Sequence, residues 1–593
     1  MYKLTFRILF IALLLVRYAF SINPRIYVDG FFSDWSSLDT LYQDSAGDQI
    51  EGDLDFGTLK ATNDDDYLYL YIETNSEINM QNDNDLTVYI DTDNDGSSGI
   101  NIGGIGAELV WNFGDRYGLF SSASESYTIY QNAIGIVTAP TVSSDRFEIA
   151  IDRYAEPLDE IPLFSDTTIS IFFRDRGPGQ DLLPDNYQKA LYTFSESTPA
   201  PLTPTTIREP DQGSCRIMTY NVLHDGIFDE ERAPAFGRVL NAIQPDIIGF
   251  QEIYNHDHED TKTFVESVLP LQDEEQWYSE KVNPDIIAVS KFPITESYYV
   301  EGNGAFILDL RTKFNCYMLF IVAHPPCCQN EEGRQYEIDA IMAFIREAKQ
   351  PGAGLNLPEN TPVLIVGDMN LVGYAQQLET LLTGEIVNHN EFGESFTPDW
   401  DGTDYTDLLP RHTNMSLFFT WYAEYSSYSP GRLDFIIYSD SVIEPVRSFV
   451  LFTPGMQHDS LDASGLISDD AIVASDHLPV VGDFVYTVLI DALDEFAETD
   501  PETFRLSQNY PNPFNSNTTI KYSCPSNTPV SICIYDLNGK EIKSFHINRN
   551  ASMRGTITWN GKDKQNNSVA SGIYICRLKS KSHSKSIKML YSK

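Results

Sequence analysis

The chain has 593 residues, and its 86 Asp and Glu against 40 Lys and Arg give a formal net charge of −46. This balance excludes a protein that binds its partners as a polycation. Hydrophobic residues make up 42% of the chain, enough to bury substantial cores, and the length predicts about three or four domains.

The charge is unevenly distributed along the chain. Residues 504–593 carry 14 Lys and Arg but 3 Asp and Glu, so they are basic while the rest of the chain is acidic. A tail of opposite sign predicts a separate C-terminal module.

Residues 1–21 have the pattern of a secretory signal peptide. Lys3 and Arg7 precede an apolar run at 8–16, and small residues stand at 19 and 21. A membrane anchor needs about 20 apolar residues to cross the bilayer, and Arg17 interrupts this run well before that. We therefore expect an exported protein without a transmembrane anchor.

Residues 22–195 predict an antiparallel β-sandwich that serves as an accessory or binding domain. They are rich in Asp, Asn, Gly and Ser and contain alternating runs such as 67–72 and 86–90. The Pro- and Thr-rich segment 196–213 predicts a stiff extended linker.

One turn of this predicted sandwich resembles the start of a calcium-binding loop. Asp91, Asp93 and Asp95 alternate before Gly96. The EF-hand pattern fails, because Ile102 stands where that loop requires Glu and no flanking helices are predicted. A calcium site in a β-turn and a solvated acidic turn both remain open.

From 214 to 487 the pattern changes to apolar strands alternating with amphipathic helices. Strands are predicted at 216–223, 246–253, 317–323 and 363–366. One helix is predicted at 233–243, and another has its apolar face at Ile338, Ile341, Met342 and Ile345. This alternation predicts an α/β domain.

Polar residues stand at the ends of several of these apolar runs. They are Asn221, Glu252, His324, Asp368, Asn370, Asp434, Asp476 and His477. A single aspartate at a strand end is usually a helix cap or turn former. The whole set combines oxygen ligands for a divalent cation, two imidazoles for proton transfer and amides that can hold an oxyanion. The sequence therefore predicts one site at the edge of a buried sheet.

The order of the motifs TYNV, QE, SKFPI, VAH, GDMN, RLDFII and SDHLPV resembles the endonuclease/exonuclease/phosphatase superfamily, which has the deoxyribonuclease-I-like fold. For residues 214–487 the resemblance implies an α/β four-layer sandwich of two packed mixed sheets flanked by helices. It also implies a hydrolase that breaks phosphate esters with a divalent metal, Mg²⁺ first, with Mn²⁺ or Ca²⁺ as alternatives.

The resemblance implies a role for each matched residue. Glu252 matches the principal metal ligand, Asn221 an amide that helps to hold metal or phosphate, and Asp476 a further ligand in the same region. Asp368 and Asn370 match the pair that orients the attacking water and stabilises the transition state.

The two histidines match proton-transfer groups of the same superfamily. His477 matches the general base, and Asp434 the carboxylate that fixes its tautomer. His324 matches a histidine that protonates the leaving group or contacts the phosphate. Its carboxylate partner is not assigned, although Asp285 lies upstream of SKFPI. Leu223 stands where the repair enzymes have a second acidic residue, which favours the secreted nucleases and phosphodiesterases.

The charge of the predicted catalytic segment bears on its substrate. Residues 215–486 carry 14 Lys and Arg against 43 Asp and Glu, few cations with which to neutralise phosphates. We expect a phosphodiester substrate and, first, an extracellular nuclease. A phosphatase or a sphingomyelinase-like lipid phosphodiesterase is the alternative, and a non-catalytic surface binding protein is the second.

Both flanking segments also resemble known modules. Segments 26–30, 67–74 and 88–99 are similar to the family-nine carbohydrate-binding and cytochrome-binding-like sandwiches, which implies glycan contact. After an acidic linker at 488–503, residues 504–593 contain LSQNYPNPFN, IYDLNGKEI and SGIYICRLKS. They resemble the type A sorting domain of the type IX secretion system, which implies export to the cell surface or the extracellular space. A monomer is expected.

The cysteine content excludes a dense disulfide framework. There are 7 cysteines in 593 residues, and none shows a CxxC zinc pattern. Cys327 and Cys328 are adjacent, and neighbours rarely have the geometry to bridge each other, which leaves a bond from one of them to a distant partner open.

Overall fold

The computed structural model describes residues 23–486 except 51, 53, 123–124, 186–187, 208–212, 273–274 and 351–354. Between 505 and 591 it describes 505–506, 509, 514–515, 517–523, 530–536, 540–547, 554–565, 567–579 and 584–591. The predicted signal peptide at 1–21 and the predicted acidic linker at 488–503 lie outside these residues. The chain divides into two compact units, residues up to 488 and residues from 489 onwards.

The first unit begins with two antiparallel sheets. Their strands, with the interposed helix α1 and the separate β5–β6 hairpin, are β1 (Tyr42–Gln43), β2 (Thr58–Asn63), β3 (Tyr67–Ile78), β4 (Leu86–Asp91), β5 (Ile100–Ile102), β6 (Ile105–Ala107), β7 (Leu109–Asn112), β8 (Tyr117–Ser122), β9 (Glu125–Ile129), α1 (Gln131–Ile134), β10 (Val137–Ala139), β11 (Ser144–Asp152), β12 (Thr168–Asp175), β13 (Leu182–Leu183) and β14 (Ala190–Thr193).

These strands are arranged so that both sheets share one core. The first sheet has the order β1-β2-β3-β11-β10, and the second β13-β12-β4-β7-β8-β9 with β14 beside β12. Leu68 and Leu70 of the first sheet are fully buried together with Val88, Ile90 and Ile171 of the second. The alternating runs 67–72 and 86–90 therefore place apolar side chains between the sheets.

The predicted linker at 196–213 follows the sandwich. Its described part carries neither helix nor strand. The sandwich nevertheless contacts the following domain directly, because the Val28 amide donates to the Ser416 carbonyl (3.0 Å) and the Ser143 amide to the Gly373 carbonyl (2.8 Å).

Residues 215–486 form an α/β domain with two mixed sheets. Its elements are β15 (Cys215–Asn221), α2 (Ala233–Ile243), β16 (Ile247–Gln251), α3 (His258–Val268), β17 (Tyr278–Lys281), β18 (Ile287–Ser290), β19 (Ile294–Val300), β20 (Asn303–Asp309), α4 (Arg311–Phe314), β21 (Tyr317–Ala323), α5 (Glu331–Ala348), β22 (Val363–Asp368), α6 (Gln376–Thr383), α7 (His389–Phe392), β23 (Thr406–Asp407), β24 (Asp434–Tyr438), β25 (Ile443–Val450), α8 (His458–Ser464), α9 (Asp470–Ala474) and β26 (Val480–Tyr486).

The strand order explains why the predicted site residues meet. The sheets run β17-β18-β16-β15-β26-β25 and β19-β20-β21-β22-β24-β23. Within them β15 and β16 are parallel, as are β21 and β22, and the other neighbours are antiparallel. The carboxyl ends of parallel strands lie at one edge of a sheet, so each sheet brings a pair of strand-end polar residues to its edge.

The two sheets of this domain pack on each other through their central strands. A side chain at Gly249 of β16 would contact Val322 of β21 and Val366 of β22. On the outer sides, Phe236 of α2 and Ile341 of α5 are fully buried in two separate clusters, one with the first sheet and one with the second. The helices therefore stabilise the sheets from outside, and both sheet edges can contribute to one site.

The second unit is a small all-β domain. Its strands are β27 (Arg505–Leu506), β28 (Thr518–Ser523), β29 (Val530–Asp536), β30 (Glu541–Ile547), β31 (Arg554–Trp559), β32 (Gly572–Lys579) and β33 (Ser584–Tyr591). They form sheets of order β27-β28-β31 and β30-β29-β32-β33 around a core that includes Trp559, Ile532 and Leu578.

In the part of the chain that the structure describes, no helix is long and apolar enough to cross a membrane.

Candidate active site

Asn221, at the end of β15, joins carboxylates from the two sheets of the central domain. Its Nδ2 donates to Glu252 Oε1 (3.1 Å) and to Asp368 Oδ2 (3.0 Å). Its Oδ1 accepts a hydrogen bond from the Leu223 amide (3.0 Å), which fixes the orientation of the side chain. The bond to Asp368 spans 147 positions of the chain.

Glu252 directly follows β16 in a left-handed backbone conformation, with φ 64°. The backbone amide of His224 donates to its Oε2 (2.9 Å), while Asn221 occupies Oε1. The turn after β15 therefore holds the Glu252 carboxylate in place at the edge of the sheet. The left-handed conformation is uncommon for a residue with a side chain and frequently occurs at functional sites.

Asp368 ends β22 between the two halves of the site and is 2% exposed. Its Oδ1 accepts a hydrogen bond from the Asn370 amide (3.0 Å), and the Asn370 side chain donates to the Pro325 carbonyl (3.0 Å). The preceding Gly367 has φ 141°, and a Cβ there would collide with the carbonyl oxygen of Ala323 on β21. Glycine in the GDMN motif therefore lets β22 approach β21 closely at the site.

His477 and Asp434 form a buried pair. His477 Nδ1 donates to Asp434 Oδ2 (2.9 Å), and the Asp434 amide donates to Thr420 Oγ1 (2.8 Å). Asp434 begins β24 directly opposite Asp368, since β24 is antiparallel to β22. Burial opposes a charged imidazole, but Asp434 and Asp368 outweigh it and raise the pKa of His477 to about 10.

His324 has a carboxylate partner of its own. Its Nδ1 donates to Asp285 Oδ2 (2.6 Å), and its backbone amide donates to Asn303 Oδ1 (2.9 Å). Burial lowers the pKa of the imidazole, but the Asp285 hydrogen bond and the charge of Asp368 outweigh it and raise that pKa to about 8.

The two imidazoles face the same carboxylate oxygen. Nε2 of His324 lies 3.6 Å from Asp368 Oδ2, and Nε2 of His477 lies 3.5 Å from it. In each ring Nδ1 bonds a carboxylate and Nε2 points to the centre of the site. Such an arrangement can remove a proton on one side of a reacting group and deliver one on the other.

The donor set fits a divalent cation. The carboxylates gathered here are Glu252, Asp285, Asp368, Asp434 and Asp476, and none of them pairs with a Lys or Arg among the described residues. Asp434 Oδ1 and Asp476 Oδ1 are buried without a hydrogen-bond partner. Ligand atoms of Asp368, Asp434 and His477 lie within 4.8 Å of one another. Hard oxygen ligands with uncompensated charge suit Mg²⁺, Mn²⁺ or Ca²⁺.

The structure brings most of the predicted site residues into one network. Asn221, Glu252, His324, Asp368, Asn370, Asp434 and His477 are connected by the contacts above. Asp476 adjoins this network, with its Oδ2 accepting a hydrogen bond from the Trp421 indole (3.1 Å). The individual roles implied by the resemblance stay predictions.

The acidic turn of the sandwich belongs to a different group. Asp91 and Asp93 place ligand atoms within 4.8 Å of Glu108, whereas Asp95 is not in this group. The Asp95 carboxylate instead accepts hydrogen bonds from the amide (3.0 Å) and hydroxyl (2.7 Å) of Ser97. A calcium site at this turn stays a prediction.

Sequence reasoning left Asp285 unassigned and did not single out Thr420 or Trp421. Asp285 precedes β18, which is antiparallel to β16, so the start of β18 lies beside the end of β16. An acidic residue before an apolar run in an antiparallel neighbour is the signal that would have found it. Thr420 and Trp421 lie outside any named strand or helix, where the sequence offers no such signal.

The site opens into a cleft of about 1180 Å³ that the sandwich helps to form. The central domain contributes His477, Asn370 and Trp421, and the sandwich contributes most of the segment 77–83. This segment is fixed to the central domain, because the Ser429 amide donates to Gln81 Oε1 (2.7 Å). The sandwich is therefore a wall of the cleft.

Cys327 and Cys328 also border the cleft, and they form a disulfide with each other. A bond from one of them to a distant cysteine, the alternative left open by the sequence, is wrong. Cys215, Cys316, Cys533 and Cys576 are free thiols.

Residues 218–477 match the family model described as Endonuclease/Exonuclease/phosphatase family, and residues 508–592 match the one described as Secretion system C-terminal sorting domain. The chain has no significant match among curated proteins.

Several solved structures align with just under half of the chain. ANGEL2, described as a 2′,3′-cyclic phosphatase, in complex with adenosine-2′,3′-vanadate, has 13% identity over 46% of this chain and 97% of its own, with a TM-score of 0.31. Sphingomyelinase C from Streptomyces griseocarneus has 15% identity over 46% and 99%, with a TM-score of 0.26. A beta toxin variant from Staphylococcus aureus with bound magnesium ions has 15% identity over 45% and 99%, with a TM-score of 0.26.

Proposed function

We propose that this chain, which contains an endonuclease/exonuclease/phosphatase domain and a type IX secretion C-terminal sorting domain, is an extracellular, divalent-metal-dependent phosphodiesterase. The observation that carries the proposal is the pair of imidazoles, each with its own carboxylate, whose Nε2 atoms lie 3.5 and 3.6 Å from one oxygen of Asp368. The sorting domain indicates export to the cell surface or the extracellular space, and the signal peptide stays a prediction.

His477 is the base in this proposal. Asp434 holds the proton on Nδ1, so the lone pair of the neutral ring is on Nε2, beside Asp368. There it accepts a proton from the attacking water. Asp368, oriented by Asn221, accepts a hydrogen bond from the same water and directs it toward phosphorus.

His324 is the acid. Asp285 holds its Nδ1, and a pKa of about 8 keeps the imidazole largely protonated at neutral pH. Its Nε2 can therefore donate a proton to the leaving oxygen. In one turnover His477 gains a proton from the water and His324 loses one to the leaving oxygen. Proton exchange with solvent then returns both rings to their starting protonation states.

Glu252, Asn221 and Asp476 would hold the divalent cation. A bound cation would offset the charge of the phosphate and of the surrounding carboxylates, which would favour the neutral form of His477 that a base requires. The chain's own carboxylates repel the phosphate. They therefore restrict it to the position in the site where their negative charge is offset.

The lining of the cleft favours a small phosphodiester as substrate. Among the described residues it includes three carboxylates, Glu77, Asp83 and Glu331, and neither Lys nor Arg. A polyanion such as a long duplex would be repelled, since duplex binding depends on cations that neutralise phosphates. The amides of Asn79 and Asn82 suit instead a neutral polar group, such as a sugar or a base, next to one scissile phosphate.

A nuclease acting on long nucleic acid is the second candidate. The observation behind it is His324 together with Leu223, because this combination resembles the secreted nucleases and phosphodiesterases rather than the repair enzymes. Both candidates use the same residues and differ in the part of the substrate that the cleft accepts.

An activity assay of the full chain separates these candidates. Bis-(p-nitrophenyl) phosphate, a dinucleotide, duplex DNA, RNA and sphingomyelin are each tested with Mg²⁺ and then with EDTA. We expect metal-dependent cleavage, with a higher kcat/KM for the small diesters than for duplex DNA. If none of the five is cleaved in a metal-dependent way, the proposal is wrong, and a preference for duplex DNA selects the second candidate.

A further inference from the structure

We propose that the N-terminal sandwich binds a calcium ion between the edges of its two sheets. The ligands are Asp44, Asp48 and Asp185, with Asp55 and Asp181 beside them. This site is separate from the catalytic network and does not depend on the proposed function.

The five aspartates come from both sheets. Asp44 follows the edge strand β1 of the first sheet, and Asp48 and Asp55 lie in the segment that leads to β2. Asp181 and Asp185 stand on either side of β13, the edge strand of the second sheet. A cation here would connect two sheet edges that share no backbone ladder.

Two overlapping groups have the spacing of a cation site. Ligand atoms of Asp44, Asp48 and Asp185 lie within 4.8 Å of one another, and so do those of Asp48, Asp55 and Asp181. Because Asp48 belongs to both groups, the five carboxylates form one continuous cluster.

Asp44 gives an independent indication of a ligand. Asp44 is 7% exposed, and neither of its carboxylate oxygens has a hydrogen-bond partner among the residues that the structure describes. A buried carboxylate without a partner is strongly unfavourable unless it is protonated or meets a cation.

No side chain of the described residues neutralises this cluster. The ion pairs of the sandwich, Arg146 with Asp145 and Arg176 with Asp115, do not involve any of the five aspartates. Five neighbouring carboxylates without a Lys, Arg or His partner among the described residues, two of them buried, would be stabilised by a cation that offsets their mutual repulsion.

The neighbouring backbone holds the ligands in place. The Phe56 amide donates to Asp181 Oδ2 (2.6 Å), and the Gly47 amide donates to Asp55 Oδ1 (2.9 Å). Hydrogen bonds that orient a ligating side chain are typical of built metal sites.

The ligand chemistry selects calcium. All donors are carboxylate oxygens, which excludes the nitrogen and sulfur ligands that zinc prefers. Calcium accepts about six to eight oxygens in flexible geometry, whereas magnesium demands a tight octahedron and retains several waters. Extracellular calcium modules bind with dissociation constants of about 10⁻⁴–10⁻³ M, which suits an exported protein.

The test is calcium binding and thermal unfolding of the full chain after chelation, in excess Mg²⁺ so that the catalytic site is saturated. Asp44→Asn is compared with Asp39→Asn, an exposed aspartate of the same domain, and with Glu252→Gln in the catalytic network. We expect calcium to raise Tm by about 5 °C in wild type, Asp39→Asn and Glu252→Gln. Asp44→Asn should lose this shift and bind one calcium ion fewer by titration calorimetry.

In the same experiment, the difference in Tm between Asp44→Asn and wild type should change sign between chelator and calcium. A purely structural role of Asp44 would not produce this change of sign. In chelator, Asp44→Asn should melt above wild type, because the amide removes a buried charge, and in calcium it should melt below wild type. The proposal is overturned if wild type binds no calcium in excess Mg²⁺, or if Asp44→Asn keeps the wild-type stoichiometry and shift. Should Asp44→Asn fail to fold, Asp185→Asn and the wild-type calorimetry decide in the same way.

Discussion

Two groups of carboxylates, one in the sandwich and one in the central domain, differ in what surrounds them. In the central domain Asp434 and Asp285 each bond an imidazole, and Asn221 bonds Asp368. In the sandwich Asp44 has no hydrogen-bond partner for either oxygen.

The difference separates a site that can do chemistry from a site that can only hold an ion. Imidazoles change their charge near neutral pH, so His324 and His477 can transfer protons beside a bound phosphate. A cluster of aspartates has no such group, and a cation in it contributes stability rather than catalysis. Acidic clusters that look alike in composition therefore have different expected responses to the same substitutions.

The largest expected effect is on turnover when the base is removed. His477→Ala should lower kcat by about 10²–10⁴-fold, since general base catalysis contributes that much. The thermal unfolding midpoint should stay near that of wild type, so the loss of rate is not a loss of folding. His458→Ala, whose side chain is 85% exposed, is the matched control and should keep wild-type turnover. If His477→Ala kept full activity, His477 would not be the base, and the proposed difference between the two clusters would be wrong.

Asp285 tests whether the carboxylates of the central domain serve the imidazoles. Asp285→Asn should lower kcat by about 10–100-fold, because the leaving-group acid loses the partner that orients and charges it. As an acid, His324 must be protonated, so the rate falls as pH rises through its pKa. Without Asp285 that pKa is lower, and the falling limb of the kcat profile should begin at a lower pH.

The control for this substitution is an exposed aspartate of the same domain, Asp404→Asn. Its pH profile should coincide with that of wild type. A profile of Asp285→Asn that is reduced in height but unshifted along the pH axis would assign Asp285 a packing role and contradict the proposed one.

How far the sequence predicts each cluster follows from how its strands pair. Asn221, Glu252, His324 and Asp368 could be predicted because each ends an apolar run, and parallel strands bring such ends together. Asp285 could not be assigned, because it precedes a strand that is antiparallel to its neighbour.

The aspartate cluster of the sandwich could not be predicted at all. Asp44 and Asp185 are 141 positions apart, and they meet because β1 and β13 are edge strands of two different sheets. Packing of one sheet on another leaves no local pattern in a single sequence. The alternating Asp91 and Asp93 were visible for the opposite reason, since they lie in one turn, yet Glu108 of the same group was not.

A smaller effect is expected at the wall that joins the two regions. Gln81 of the sandwich holds the loop at Ser429, so Gln81→Ala should raise KM by about threefold to tenfold, as expected for one lost hydrogen bond. The value of kcat should stay near that of wild type, because Gln81 contacts none of the imidazoles. Gln272→Ala, an exposed position of the central domain, is the control. A large loss of kcat with unchanged KM would mean that the sandwich takes part in the chemistry.

The smallest expected effect is that of the calcium site on turnover. Asp44→Asn should keep kcat within about twofold of wild type at 25 °C, because distant and independent sites are coupled weakly. Glu252→Gln should show the reverse pattern, losing activity while it keeps the calcium-dependent rise in Tm. Measuring turnover and the calcium-dependent rise in Tm on both variants tests whether the two acidic clusters are independent. If Asp44→Asn lost activity at a temperature where it remains folded, the two clusters would act as one.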